Sequence, residues 1–291
     1  MSKLADPEAA VASDLPDLPD LDEQRRLGRE RVEKTARWVL PLGVMALAIW
    51  FWGRIVVWNG IPKYILPAPW DVWASLTGDW TMLAGAAALT GQITLMALAL
   101  AVIGGAGLAI LFNQSKVLEL SLYPYAVILQ VTPVVAVAPL IFIYVDNRVA
   151  AMLLCAWIVA FFPVLSSTTL GLRSVDPNLS DLFRIYGATR WQRLIHLQLP
   201  SALPYFLGGV KIAGGLSLIG AVVAELVAGT GGVGAGLAAR IQEAGYRLNI
   251  ARMFAALALI AAMGVFLFAA LSLLSHLLLR KWHESALAQE R

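Results

Sequence analysis

A single cysteine, Cys155, in 291 residues rules out a disulfide framework or a cysteine-based metal site within one chain, and its position in an apolar run marks it as a small buried hydrophobe. Histidine is almost as scarce. His196, His276 and His283 form no His-Glu-x-x-His or other zinc spacing, so a metal site is not expected. No lysine follows a glycine, which removes the phosphate loop and with it ATP use by that route. Charge is thin as well, at 14% of residues against 59% hydrophobic, and residues 80–115 carry none at all. A soluble domain of this size is far more polar, so the membrane is the solvent here. The net charge of +3 could point to nucleic acid, but the basic residues flank apolar runs, where they set orientation instead, and nucleic acid is not an expected partner. No constellation of catalytic groups emerges, and no catalytic residue is assigned.

What is present is a series of apolar runs. About 20 such residues cross roughly 30 Å of hydrocarbon. Six spans are expected in an all-α membrane protein, at residues 38–58, 85–112, 120–144, 149–172, 204–228 and 253–279. An even number places both termini on one side. With that side inside, sixteen of the Lys and Arg residues fall on inner segments and six on outer ones, so both termini are expected in the cytoplasm. Ahead of the spans, residues 1–23 are acidic and proline-bearing, which predicts a disordered tail rather than a signal peptide. Residues 24–37 are basic, either a helix on the inner membrane surface or a plain charge flank for the first span, and residues 280–291 are a short cytoplasmic tail. The spans together make one domain, 38–279.

The longest polar interruption, residues 173–203, has a readable local chemistry. Asp176-Pro177 starts a helix, because the carboxylate accepts an orphan N–H and proline at the first position has none to lose. Gly187 stops it in a left-handed cap. Thr189 and Gln192 form a capping box for a second short helix, which Pro200 is expected to end. The result is an elbow bearing Arg184, Arg190 and Arg193.

Gly187, nine residues, then Leu197-Gln198-Leu199-Pro200 resembles the Gly-x9-Ile-x-Leu-Pro core of the EAA loop of ABC-importer permeases, and the likeness runs on through Ala202-Leu203-Pro204 and Gly208-Gly209. The family's Glu-Ala-Ala positions read Asp181-Leu182-Phe183 here. Leu66-Pro67-Ala68-Pro69 and Val72 resemble the outer loop of the branch that carries nitrate, sulfonates, taurine and pyrimidine precursors. The resemblance implies a type I (MetI-like) importer permease fold with cytoplasmic coupling helices, in the bacterial cytoplasmic (inner) membrane. It implies work as a homodimer with two ABC ATPase subunits at the cytoplasmic face and a periplasmic solute-binding protein. ATP and Mg would reside on the ATPases, with no cofactor on this chain. Carried onto this sequence, ATPase coupling falls on Asp181, Arg184, Gly187, Ala188, Thr189, Arg190, Arg193, Leu199 and Pro200. The implied solute is a sulfonate, a nitrate-like oxyanion or a pyrimidine or vitamin precursor.

Within the spans, Gln130, Thr132 and Pro133 are candidates for the translocation pathway, since an intramembrane proline frees backbone carbonyls; a packing kink is the plainer alternative. The fifth span carries small residues at Gly209, Ala213, Ser217 and Ala221, a ridge that lets another helix approach, in the chain or across a dimer axis. Ser217 and the next position on the ridge, Glu225, are further pathway candidates, Glu225 alternatively an acid at the outer boundary. Gly229, Gly231 and Gly234 satisfy G-x-G-x-x-G, but no strand is expected before them, so they predict a turn into a short helix near 235–246 and not a dinucleotide site. A channel or secondary transporter is the rival class. The near absence of mid-membrane charge and of internal repeats counts against it.

Overall fold

The computed structural model describes residues 21–229 and 234–280, and among these the secondary structure is entirely helical. Five helices are long and apolar enough to cross a membrane, six if one sharply bent pair counts as a single span. The chain divides into two units, Met1–Ile61 and Pro62–Arg291.

Among the described residues the first unit contains one helix, α1 (Leu21–Trp58), whose apolar part is Val39–Trp58. It starts three residues inside the expected acidic tail; residues 1–20 lie outside the described residues. Near the end of α1 the Arg54 guanidinium lies 6.0 Å from the Trp50 ring centroid, a way for a cation to sit beside an apolar span. Gly60 then turns the chain at φ +58°.

The second unit opens with a helix that sequence reading missed, α2 (Pro69–Gly78). From the sequence, Pro62, Pro67 and Pro69 predict extended chain, since none can donate to a backbone ladder; instead Pro69 stands in the first turn of α2, with Asp71 accepting from the Ala68 N–H and from Lys63 Nζ at 2.6 Å. Then follow α3 (Trp80–Gln114), α4 (Lys116–Val131), α5 (Val134–Tyr144) and α6 (Arg148–Arg173). Helix α7 (Pro177–Ile185) begins the elbow, and α8 (Arg190–Arg193) completes it. Last come α9 (Leu199–Ala228), α10 (Leu237–Tyr246) and α11 (Ile250–Leu279).

Two expectations are overturned here. The third span is not a single helix, because α4 and α5 meet at 103° around Thr132-Pro133. Proline forces the preceding residue out of the helical region, and Thr132 accordingly has ψ 121°. Nor does Pro200 end the second elbow helix. Arg190–Ala228 is a single run of 39 residues in which Leu194–Gln198 forms a π turn, closed by the Leu199 N–H bonding to the Leu194 carbonyl. A π turn widens the helix just ahead of Pro200, whose ring would crowd the His196 carbonyl in a regular α-helix, so Pro200 sits in the helix without breaking it.

The core of the unit is α6, packed against α9 on one side and α3 on another. Its contacts are backbone to backbone. A Cβ on Gly220 would stand 2.8 Å from the Ala156 Cα, one on Gly209 2.9 Å from the Pro163 carbonyl oxygen, and one on Gly105 3.0 Å from the Leu165 nitrogen. The small-residue ridge therefore packs on α6 of the same chain, with Ala213, Ser217 and Ala221 wholly buried.

At the end of the bundle opposite the elbow, Glu225 is 0% exposed. Its carboxylate accepts from the Thr90 hydroxyl at 2.7 Å and from the Ala238 N–H at 2.9 Å, while Thr90 Oγ1 accepts from the Leu237 N–H at 2.9 Å. A helix start needs acceptors for its orphan N–H groups. Here α10, whose N-cap is Gly236 and whose first residues are Leu237, Ala238 and Ala239, has no side-chain acceptor of its own and takes them from α9 and α3. Gly236 is required because a Cβ there would be 2.0 Å from Glu225 Oε1. Farther along, Arg240 hydrogen-bonds Glu243 at 2.6 Å and holds its carboxyl below the usual carboxylate range. Asp79 receives two bonds from Arg252, at 2.7 and 2.9 Å, joining the starts of α3 and α11.

Two consequences are testable. Gly220→Val should lower the unfolding temperature in detergent, at a cost of about 1–3 kcal/mol for overpacking, whereas Gly215→Ala, with nothing within 4 Å of its Cβ, should be neutral or stabilising. Glu225→Leu strands the Ala238 N–H, at about 1–3 kcal/mol for each orphaned group. Hydrogen exchange should then rise across 237–246 and stay unchanged in α6.

Candidate functional site

The elbow is built by local rules that agree with one another. The Asp176 carboxylate accepts the Asn178 N–H at 2.8 Å, and Pro177 opens α7. At the other end Gly187 has φ +70°, its N–H bonds to the Arg184 carbonyl, and the Ala188 N–H reaches back to Phe183 at 2.9 Å. That pair of bonds is the Schellman closure, which needs a left-handed residue at this position. The Thr189–Gln192 capping box forms in both directions, at 2.7 and 3.2 Å. Two rigid helical pieces are thus joined by Gly187 and Ala188 alone.

Between the pieces lies an open cleft of about 580 Å³ lined by Leu182, Phe183, Tyr186, Gly187, Gln192 and His196 among others. The outer surface is apolar as well as basic. Ile185 is 81% exposed and Tyr186 80%, with Trp191, Arg184, Arg190 and Asp181 also exposed. Large apolar side chains rimmed by charge mark a surface for another protein or for the membrane interface. Arg193, Leu199 and Pro200 are half-buried at the root, below which Leu194 and Leu197 are anchored in the bundle. Leu194 sits with Phe112, Leu172 and Ala202. Sequence reading missed both the exposed apolar residues and these anchors; the spacing of Leu194 and Leu197, three apart, was the available signal.

Of the pathway candidates, the structure brings Gln130, Thr132 and Pro133 together at the 103° bend, with Gln130 and Pro133 exposed. Thr132 Oγ1 donates to the Ile128 carbonyl at 2.6 Å, finishing α4. Ser217 and Glu225 lie elsewhere, in closed helix interfaces: the Ser217 hydroxyl donates to the Gly214 carbonyl at 2.8 Å, and Glu225 caps α10 as described. Both side chains are wholly buried in this chain. Among the described residues no group of three or more His, Cys, Asp or Glu side chains could hold a metal ion.

Comparison with known proteins is consistent with this arrangement. Residues 101–281 match the family described as binding-protein-dependent transport system inner membrane component. The chain is 37% identical over 261 residues to the riboflavin transport system permease protein RibX of Chloroflexus aurantiacus, covering 84% of this chain and 90% of that one. It is 31% identical over 282 residues to the putative aliphatic sulfonates transport permease protein SsuC of Bacillus subtilis, covering 96% and 98%. The formylaminopyrimidine transport permease protein ThiX of Halalkalibacterium halodurans is 31% identical over 182 residues, covering 62% of this chain and 71% of that one. In fold, the chain is similar to a crystal structure of an amino acid ABC transporter with histidines, at a TM-score of 0.58 and 19% identity over 72% of this chain and 97% of that one. The chain therefore belongs to the binding-protein-dependent transport system inner membrane components, the multi-pass permeases of ABC importers.

Proposed function

We propose that this chain is the membrane-spanning subunit of an ATP-driven importer for a small solute, and that it couples to a separate ATPase through the elbow around Gly187. The observation that carries the proposal is the elbow itself: an apolar, basic, locally rigid surface outside the spans, continuous through the π turn with the 30-residue α9. In this reading the elbow and both termini face the cytoplasm of a bacterium. The chain works as a homodimer, two ATPases bind at the elbows, and a solute-binding protein delivers from the opposite side. ATP and Mg belong to the ATPases.

Nucleotide can shift the permease only if the elbow contacts the ATPase differently in its two states. The exposed Tyr186, Ile185 and Trp191, with Arg184 and Arg190, are the groups for those contacts, and Asp181, Ala188 and Thr189 shape them. Displacement of α8 then moves α9 directly, because no loop intervenes. The relatives' names keep heteroaromatic precursors and small oxyanions in the solute set: riboflavin and formylaminopyrimidine for two, aliphatic sulfonates and nitrate for others.

Nothing lies within 4 Å of a Cβ at Gly187, so a substitution there acts through backbone conformation alone. Gly187→Val, a β-branched residue in the left-handed region, should lose the co-purifying ATPase or its hydrolysis coupling while the chain still inserts. Gly187→Asn, which tolerates that region, should keep both. Purification of the intact folded chain without any ATPase, together with uptake into vesicles driven by an ion gradient alone, would favour a secondary transporter instead.

A further inference from the structure

The elbow has two ends, and both are tied by polar side chains to the same place, the turn between α3 and α4. At the first end Arg173, the last residue of α6, forms an ion pair with Glu119 of α4, whose carboxylate also binds Lys116 at 3.1 Å. At the second end Gln198, the last residue of the π turn, accepts from Asn113 Nδ2 of α3 at 2.7 Å. The π turn matters to this contact, since one extra residue in a helical turn rotates the side chains that follow it. An apolar cluster lies beneath the two ties. Phe112, Ala126, Leu172, Leu194 and Ala202 bring together α3, α4, α6, the π turn and α9, with the rings of Phe112 and Tyr123 6.3 Å apart.

Helix α4 is tied at its start by Glu119, and its one buried residue, Ala126, packs in this cluster nearer the bend. Helix α5, across the bend, belongs to a different cluster. Its Ala138 and Ile141 pack with Met152, Cys155, Ala221 and Ala224, toward the end opposite the elbow. The two halves of the broken span are therefore packed toward opposite ends of the same α3, α6 and α9 core, and the only covalent joint between them is Thr132-Pro133. Hinges of this kind are a few element-terminal residues between separately packed parts.

We propose that Glu119 and Asn113 are positioning residues that hand elbow displacement to α4, so that the angle at Thr132-Pro133 changes with the nucleotide state. This rests on the coupling reading above and adds a second route beside the direct one through α9. A surface ion pair contributes little stability; what the two ties supply, Glu119 on α4 itself and Asn113 at the adjoining end of α3, is a fixed direction of pull on a helix with one buried residue of its own.

The test uses the assembled importer, with Cys155→Ala chains carrying spin labels at Leu120→Cys and Ile143→Cys, both exposed positions on either side of the bend, diluted into unlabelled chains. Adding MgATP and vanadate should shift the distance distribution by more than its width. Glu119→Gln combined with Gln198→Leu should abolish the shift while the complex still assembles and hydrolyses ATP, and exchanging the charges with Glu119→Arg and Arg173→Glu should recover part of it. A full shift in the Glu119→Gln, Gln198→Leu chain overturns the proposal. So does the absence of any shift in the parent when a label at Ile185→Cys still responds to nucleotide. If the double variant fails to assemble, each single variant should show a reduced shift, and full shifts in both overturn the proposal equally. No nucleotide response at Ile185→Cys, or no associated ATPase, strikes the coupling reading itself.

Discussion

Close approach of α6 and α9 is the constraint on which the rest of this structure depends. In hydrocarbon there is no hydrophobic gain from helix association, so the helices are held by dispersion over surfaces that fit. Gly209, Ala213, Ser217, Ala221 and Gly220 let one backbone settle on another at distances a side chain would not permit. With that pair in place, α3 docks through Gly105, and the elbow between α6 and α9 is confined to the narrow gap between their ends. A rigid pair of helices is also what allows a force applied at the elbow to be felt far away.

The two ends of the pair are finished in opposite ways. At the elbow end the chain satisfies its own backbone: Asp176, Gly187 and the Thr189–Gln192 box close every helix terminus locally, which leaves Tyr186, Ile185 and Trp191 free to face outward. At the other end satisfaction is borrowed. Helix α10 begins on the Glu225 carboxylate and the Thr90 hydroxyl, residues 13 and 147 positions removed from the groups they receive. A self-contained elbow can move as a unit without exposing unpaired groups, whereas disturbing α10 leaves buried polar groups without partners.

Between these ends the broken span does something neither end requires. A helix interrupted at Thr132-Pro133 exposes backbone that lipid cannot satisfy, so it is tolerated only beside protein or a water-lined cavity. The bend also packs the two halves of one span toward opposite ends of the same core.

Most of the architecture was legible in the sequence. The apolar runs gave most span ends to within about five residues, since hydrocarbon thickness sets their length, although the helix of the fifth begins at Arg190 and not near 204; the elbow's caps could be read because each depends on residues no more than five apart. The failures have a common cause. Pro200 reads locally as a stop, and only a π turn, stabilised by burying Leu194 and Leu197 in the bundle, lets the helix continue. The prolines before Trp70 read as extended chain but begin a helix. Ser217 was correctly placed on a packing ridge, yet which helix would meet that ridge could not be known from a period of four. Glu225 by position looked like an acid near the membrane boundary, and nothing within ten residues says that an alanine N–H from α10 and a threonine from α3 will enclose it. What the sequence by itself determined is every feature governed by solvent and by local backbone chemistry: the spans, the caps, the elbow, and the kind of protein this is. The tertiary structure alone decided which buried groups meet, because those pairings join residues distant along the chain, and a low-dielectric interior makes each of them obligatory only once the fold has brought them together.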